Sequence, residues 1–471
     1  MQHLPLLDNK RPTVFVWTIW AIMVLVALLC VFIYGRNIPL AEDWHLVSAV
    51  TGNEPKISNW LWLQNNEHRI PFPKLMLLFL LKISNGDFRV GMAFTIICVS
   101  LLAAYFIKVF YNLRGSKLYY TDAFFPLLLL HLGNWENFFW AWELTFVTAT
   151  ILTCILISTV LQLKNLISMP HAIVSSFCMM LLPLSGANGL LYLLPVMPWL
   201  ALQAYFHVSS KEAAASRRIG ISLIISLALT LLLVIVYFVG YQHPTWYPPS
   251  PGIFATLKTA VKFMALSFGP AVSRAWGVSG LFAFALTLAT AILLISTIIK
   301  SRYRGPEFRR AGGLFLFLGG NVLFALAMGY GRAAQVASVG LPIRYVFLSM
   351  PLLIICYSTW QFYGLPLSRK MIQWGLFITM LILIVPNTRK GFNWRDYCVQ
   401  GADSVIHDIN YGVPRSALVE RHVNFLLHWD KNMLAKGMQQ LKEARMGPFK
   451  NMKSDTVISS LPSLPVSTDI K

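Results

Sequence analysis

Apolar runs of 15 to 25 residues recur through the first 386 positions of the chain, and they constrain its fold more than any other feature. A helix of about 20 apolar residues spans the hydrocarbon core of a bilayer, and helices satisfy their own backbone hydrogen bonds there. Only 12% of the 471 residues are charged, about half the usual fraction of a soluble domain. We therefore predict an all-α polytopic membrane protein with about 10–12 transmembrane or re-entrant helices.

The transmembrane domain is predicted to cover residues 1–386, with a long outer loop over residues 36–70 after the first span. Two later hydrophobic segments, 122–132 and 172–184, are each followed by a polar string. Polar backbone at membrane depth is stable only where protein or a wet cavity satisfies it. We therefore expect both breaks to lie beside a cavity that opens outward. The apolar stretch 71–84 is short, so whether it crosses is left open.

The remainder of the chain is polar and resembles a soluble segment in composition. Residues 387–450 are predicted to form a helical tail, with one helix from Pro414 to about Arg445 whose apolar residues recur at helical spacing. Residues 451–471 are predicted to be flexible. Basic connectors between the spans place the amino terminus inside, and an odd number of spans then places the tail outside.

The net charge of +20 comes largely from these connectors. It indicates membrane topology and contact with anionic lipids, and no nucleic-acid partner is expected.

Acidic residues are the most informative because they are scarce before the tail. Eleven acidic residues precede the tail, and six of them fall in segments predicted to face outward: Glu42, Asp43, Glu54, Glu67, Glu136 and Glu143. A carboxylate at a membrane boundary is costly unless it has a partner or a function. Solvated loop charges are the alternative. The adjacent pair Glu42–Asp43, just beyond the first span, is the strongest candidate for a functional role.

A string in the first outer loop combines an acid, an imidazole and a guanidinium in Glu67, His68 and Arg69. Such a trio can be an ion-pair cluster that satisfies itself and caps the next helix. It can also hold a polar substrate, with Arg69 presenting its planar fork to a phosphate.

The segment 133–143 interleaves aromatic and polar side chains, among them Trp135, Glu136, Asn137 and Glu143. An interfacial aromatic belt would explain the tryptophans. Aromatic faces with neighbouring amides and carboxylates are also suited to stacking on and hydrogen bonding with sugar rings. Both interpretations stay open.

Arg332 and Arg344 lie between two spans on the predicted outer face. Basic residues there run against the bias that keeps them in cytoplasmic loops. The pair can serve as snorkelling anchors, or it can neutralise a lipid phosphate as it leaves.

With these residues, the chain resembles the C-type (GT-C) polytopic membrane glycosyltransferases, which use polyprenyl-phosphate sugars. The resemblance depends on the acidic pair in the first outer loop, the many helices and a tail on the same side. The strings at 66–69, 185–190 (containing Asn188), 329–332 and 344–345 are similar to those of bacterial membrane proteins placed near that superfamily. The resemblance implies a bacterial cytoplasmic (inner) membrane, with the active face outside.

The resemblance also implies a mechanism. Asp43 or Glu42 would act as the general base in an inverting transfer, and Arg332, Arg344 and Arg69 would stabilise the departing phosphate. The other implied substrate-binding residues are Glu67, His68, Trp135, Glu136, Asn137, Glu143, Asn188 and Tyr345. The expected partners are a lipid-linked sugar donor, a glycan, lipid or protein acceptor, and membrane lipids. No cofactor or metal is required, although a divalent cation at Glu42 and Asp43 would be chemically reasonable.

Two other functions fit the same features. A transporter or flippase of a polar or lipid-linked substrate would also use broken helices, an outward cavity and arginines. It would be expected to carry acids in mid-membrane, and the clear spans contain none in their middle. A non-catalytic membrane scaffold that recruits a partner through its tail is the third possibility.

Overall fold

A computed structural model describes residues 10–210, 214–339, 341–427 and 429–453, and within these ranges the chain is α-helical without a β-strand. This confirms the predicted all-α fold. The α-helices of these residues, in chain order, are α1 (Lys10–Tyr34), α2 (Trp44–Val50), α3 (Ile57–Trp62), α4 (Pro71–Ile83), α5 (Phe88–Leu113), α6 (Phe124–Leu129), α7 (Trp135–Phe138), α8 (Leu144–Leu161), α9 (Met169–Leu181), α10 (Ala187–Ser209), α11 (Ala214–Phe238), α12 (Ile253–Ala265), α13 (Trp276–Lys300), α14 (Gly305–Val339), α15 (Tyr345–Tyr363), α16 (Pro366–Asn410), α17 (Arg415–Leu426) and α18 (Lys431–Glu443).

Nine helices within the described part of the chain are long and apolar enough to cross a membrane. They are α1, α5, α8, α10, α11, α13, α14, α15 and α16. Helices α8 and α15 are apolar on every side and almost wholly buried, so they form the centre of the bundle. The other seven present exposed leucine, isoleucine, valine and phenylalanine side chains toward the lipid.

In addition to the nine long helices, the chain segment from Asp122 to Glu136 runs from one end of the bundle to the other. At one end, Gln361 near the end of α15 hydrogen-bonds to Arg114, which pairs with Asp122. At the other end, Arg344, just before α15, pairs with Glu136. The chain between these acids is built from short elements: α6, a 3-10 turn at Leu132–Asn134 and the start of α7.

Helix α9 makes a second broken passage. Residue Ile167, before α9, accepts a hydrogen bond from His207 at the end of α10, while Ala187 at the start of α10 contacts His68. Helix α9 and the following turn Pro183–Ser185 therefore run antiparallel to α10. Both interrupted segments indicated by the sequence thus pass from one end to the other between the long helices.

Helix α4 answers the question left open for the stretch 71–84. Its 13 residues extend about 20 Å, less than the ~30 Å of a bilayer core. The amide of Phe88, after α4, donates to Asn37 Oδ1 at 3.0 Å, so the chain returns to the end where α1 finished. The buried Lys74 within it donates to the carbonyls of Trp60 and Leu63.

Residues 36–83 and 402–453 pack together at this end around a second hydrophobic core, and we call this layer the cap. Helix α18 lies on α2, where a side chain at Gly437 would come within 2.7 Å of the Trp44 ring. Trp44 also packs edge-on against Phe449. The first loop and the tail therefore lie on the same side of the bundle, while which side faces outward stays a prediction.

The tail differs from the expected arrangement in two respects. Helix α16 continues for 45 residues, about 68 Å, through the expected domain boundary at residue 386 without interruption. The predicted single helix from Pro414 to about Arg445 is wrong, because the chain breaks after α17 and restarts as α18. Asp430 accepts the amide of Met433 and caps this new helix. Most of the predicted flexible segment 451–471, from residue 454 onward, lies outside the described residues.

Candidate functional site

A small cavity of about 50 Å³ lies where the cap meets the bundle. Its walls come from six separate stretches of sequence and include seven of the predicted site residues: Glu42, Glu67, His68, Glu143, Arg332, Arg344 and Tyr345. A larger cavity of about 330 Å³ adjoins it, since Glu67, His68, Tyr247 and Arg332 line both. Asn188, from the predicted string at 185–190, lines the large cavity.

Glu67 and Arg332 form an ion pair between the first loop and α14. The Arg332 guanidinium also lies over the ring of Tyr247, 4.3 Å from its centroid. Burial alone would raise the pKa of Glu67, but the interactions with His68 and Arg332 and a hydrogen bond from Tyr247 outweigh burial and hold that pKa below its ordinary value. Glu67 is therefore an ionised group in the shared wall of the two cavities.

His68 joins the first loop to the start of α10. The backbone N–H of Ala187 donates to His68 Nδ1 at 3.1 Å, and His68 Nε2 lies 3.7 Å from Glu67 Oε1. Burial lowers the pKa of His68, so the ring is neutral near pH 7 and carries its proton on Nε2. The turn that brings Ala187 here requires a φ of +96° at Gly186, a conformation that glycine adopts without strain.

Glu136 binds Arg344 with both carboxylate oxygens. Oε1 accepts from the guanidinium at 2.6 Å, and Oε2 accepts from the backbone N–H of Arg344 at 2.9 Å. Glu42 and Glu143 lie close enough to interact with the same guanidinium. Glu143 is buried, and its Oε2 has no hydrogen-bond partner among the described residues. Around this arginine the cavity therefore has more carboxylates than positive charges.

Asp43 occupies a different place from its neighbour Glu42. Its Oδ1 accepts the backbone N–H of Trp142 at 3.0 Å, and its Oδ2 accepts that of Leu40 at 3.2 Å. The side chain is fully buried, and burial raises its pKa well above the ordinary value. Asp43 closes the turn that presents Glu42 to the small cavity, whereas its own carboxylate does not line either cavity.

Four predicted substrate-binding residues also line neither cavity: Arg69, Trp135, Glu136 and Asn137. The buried guanidinium of Arg69 donates to the carbonyls of Trp62 at 3.1 Å and Val239 at 2.9 Å, so it fastens the first loop to the chain after α11. Trp135 and Asn137 are fully buried within the broken passage. The segment 133–143 therefore contributes mainly to packing, and Glu143 carries its chemistry into the cavity.

Tyr247 is a cavity residue that the sequence reasoning missed. It follows Trp246 and precedes two prolines in the loop between α11 and α12. Aromatic residues next to prolines in a loop between two spans were an available signal, because rings in such loops often meet a ligand or a cation. For a metal, the described ranges contain no group of three or more His, Cys, Asp or Glu side chains placed to hold an ion.

The fold and the cavities define an all-α polytopic membrane protein with a polar site, lined by ion pairs, under a helical cap. The chain matches no protein-family model, no curated protein and no solved structure. The function must therefore be inferred from the chemistry of the site.

Proposed function

We propose that this protein is a membrane glycosyltransferase that moves a sugar from a polyprenyl-phosphate donor to a hydroxyl group of an acceptor at the cap end. The observation that carries the proposal is the meeting of Glu42, Glu143, Arg332 and Arg344 in one cavity. A general base and cations suited to a leaving phosphate are the groups that such a transfer requires.

An apolar cleft beside the site suits the lipid part of the donor. It has a volume of about 480 Å³ and lies between α12, α13 and α14, with Leu257, Leu288 and Leu323 exposed along it. Its last residue on α14 is Leu326, and Arg332 follows about 9 Å further along that helix. A lipid chain in the cleft would thus bring its phosphate toward the arginines.

The arginines have the capacity to bind this phosphate without leaving their present partners. A guanidinium carries five N–H donors in a planar fork. Glu67 accepts from one terminal nitrogen of Arg332, and Glu136 accepts from one terminal nitrogen of Arg344. Donors on both side chains therefore remain for phosphate oxygens, and their charge stabilises the phosphate as it departs.

Glu42 is the proposed base. Its carboxylate takes the proton of the acceptor hydroxyl, whose oxygen bonds to the anomeric carbon from the face opposite the phosphate. The bond from that carbon to the phosphate oxygen breaks, its electron pair stays on the phosphate, and the configuration inverts. Glu42 is preferred to the adjacent Asp43 because Glu42 lines the small cavity, whereas the buried Asp43 carboxylate lines neither cavity and accepts the backbone N–H groups of Trp142 and Leu40.

The test is a transfer assay with the full-length protein in liposomes that contain radiolabelled polyprenyl-phosphate pentoses and hexoses. We expect labelled glycan product from the unaltered protein and a loss of about 10²–10⁴-fold in Glu42→Gln, with donor binding kept. Glu54→Gln is the matched control, because Glu54 is a cap carboxylate that lines neither cavity, and it should transfer normally.

Two outcomes would contradict the proposal. If Glu42→Gln transfers sugar at the rate of the unaltered protein, Glu42 is not the base. Movement of the intact labelled lipid across the bilayer, without transfer, would establish the transporter or flippase alternative instead.

A further inference from the structure

A third opening of about 580 Å³ lies beside the two cavities, between the first loop and the loop that follows α11. We call it the amide cleft. Its characteristic side chains are two tryptophans and four amides: Trp62, Trp246, Asn59, Gln64, Asn66 and Gln242.

Hydrogen bonds fix the two walls of the amide cleft to each other. Gln64 donates from Nε2 to the carbonyl of Gln242 at 2.5 Å, and its Oε1 accepts the backbone N–H of Gln242 at 3.1 Å. Arg69 bridges the same two loops through the carbonyls of Trp62 and Val239. Because the walls are joined before any ligand arrives, less ordering is required when one binds.

The lining of the amide cleft is polar but carries little charge. Among the described residues no carboxylate lines it, and its guanidinium, that of Arg69, already donates to two carbonyls. Trp246 is 65% exposed, whereas a tryptophan ring usually buries much of its large surface. An exposed aromatic face flanked by amides, which donate and accept at once, matches a ligand with apolar ring faces and many hydroxyl groups.

The amide cleft leads to the site. Asn66 lines both the cleft and the small cavity, and His243 lines both the cleft and the large cavity. A chain molecule lying in the cleft would therefore have one end beside Glu42 and Glu67.

We propose that the amide cleft binds a neutral oligosaccharide. The glycan is also the acceptor of the transfer, a step that rests on the proposed function. The cleft then holds the sugar units beyond the one that reacts. An anionic glycan is disfavoured, because the basic groups of the cleft are Arg69, which is engaged by carbonyls, and the exposed His243.

The direct test measures binding of neutral trisaccharides to the full-length protein in detergent micelles by calorimetry, with cellotriose, mannotriose, maltotriose and a trigalacturonate as probes. We expect a neutral trisaccharide to bind and the acidic one to bind at least about tenfold more weakly. Trp246→Ala should weaken binding by about tenfold; this side chain is mostly exposed, so the variant should fold. Trp429→Ala, which removes a 46% exposed tryptophan elsewhere in the cap, should bind as the unaltered protein does.

Absence of binding by all the neutral probes would overturn the proposal, as would equal losses in Trp246→Ala and Trp429→Ala. Preferential binding of the acidic probe would also overturn it.

The transfer assay separates this proposal from the proposed function. If the cleft holds the acceptor, Trp246→Ala raises the acceptor KM about tenfold and leaves kcat unchanged. Transfer with an unchanged acceptor KM in Trp62→Ala and Trp246→Ala would overturn the acceptor role and leave the proposed function standing. Trisaccharide binding without transfer from any donor would overturn the proposed function and leave the glycan-binding role of the cleft standing.

Discussion

The bundle carries arginine–carboxylate pairs at both ends, and the two ends use them differently. At the end away from the cap, Arg114 and Asp122 have side chains that are only 6% and 0% exposed. Asp122 accepts from Arg114, from the amide of Tyr119 at 2.7 Å and from the hydroxyl of Tyr357 at 2.8 Å. The guanidinium also lies over the rings of Phe110 and Tyr119.

At the cap end the pairs are more open. Arg332 and Arg344 have side chains that are 14% and 29% exposed, and both line a cavity. Glu143 beside them has an oxygen without a partner among the described residues. An ion pair alone therefore does not mark a functional site. What distinguishes the cap end is unused hydrogen-bonding capacity facing a space that a ligand can enter.

The largest expected effect comes from breaking the buried pair Arg114–Asp122. Arg114→Ala leaves the Asp122 carboxylate buried without its cation, which should destabilise the protein by about 3–5 kcal/mol. The measurement is the thermal midpoint and folded yield of the purified protein.

The double variant Arg114→Met with Asp122→Asn should recover much of this stability, since no uncompensated charge remains. If Arg114→Ala is as stable as the unaltered protein, the pair is not the structural element that we infer.

The second prediction removes a cation from the open end. Arg332→Gln should slow transfer by about 10²-fold, because it deletes a positive charge from the site of the leaving phosphate. Stability should change by less than about 1 kcal/mol, since Glu67 keeps access to a cavity that water can fill.

The assay is kcat with the polyprenyl-phosphate donor, measured alongside the thermal midpoint. A large loss of stability in this variant would show that the open pair is as structural as Arg114–Asp122.

The third prediction separates two adjacent acids. Asp43→Asn replaces an oxygen that accepts a backbone N–H by an NH₂ group, leaving a buried donor unsatisfied at a cost of about 2 kcal/mol. The folded fraction should retain its transfer rate, in contrast to Glu42→Gln.

Denaturation midpoints and transfer rates per folded molecule provide the check. A folded but inactive Asp43→Asn would return the role of base to Asp43.

The sequence predicted the spans well because their signal is local. An apolar run of sufficient length crosses a bilayer whatever it packs against, and polar strings beside 122–132 and 172–184 marked the two broken passages. The prediction of a single tail helix was wrong because α17 and α18 share a continuous apolar stripe. The break between them is marked in the sequence only by one polar residue, the capping Asp430.

The site was predicted in part, for reasons that depend on contacts far along the chain. Scarcity of acids identified Glu67 and Glu143, which meet arginines from α14 and the start of α15. Sequence could not tell Glu42 from Asp43, because one tight turn decides which carboxylate faces the cavity. It also could not show that Arg69 joins two loops, because its partners are backbone carbonyls, which carry no residue-specific signal.

The smallest effect concerns the cap itself, where His45 lies between the rings of Trp142 and Trp429. Burial, helped by the charge of Lys74 and opposed by Asp430, lowers the pKa of His45 to about 4. In the unfolded chain its pKa is about 6.5, so the unfolded state binds more protons at intermediate pH. The stability that His45 contributes is therefore complete above about pH 6.5 and is lost as the pH falls toward 4.

Because His45 is partly exposed, we expect the loss to be about 1 kcal/mol between pH 7 and pH 5. Hydrogen exchange in α2 and α18 at the two pH values measures it. His45→Phe keeps the ring contacts and should remove this part of the pH response, whereas His243→Phe, at an exposed histidine of the amide cleft, should retain it. If both variants respond to pH as the unaltered protein does, the pH sensitivity of the cap end comes from the cavity carboxylates and not from His45. The two ends of the bundle would then differ only in their ion pairs, which are open at the cap end.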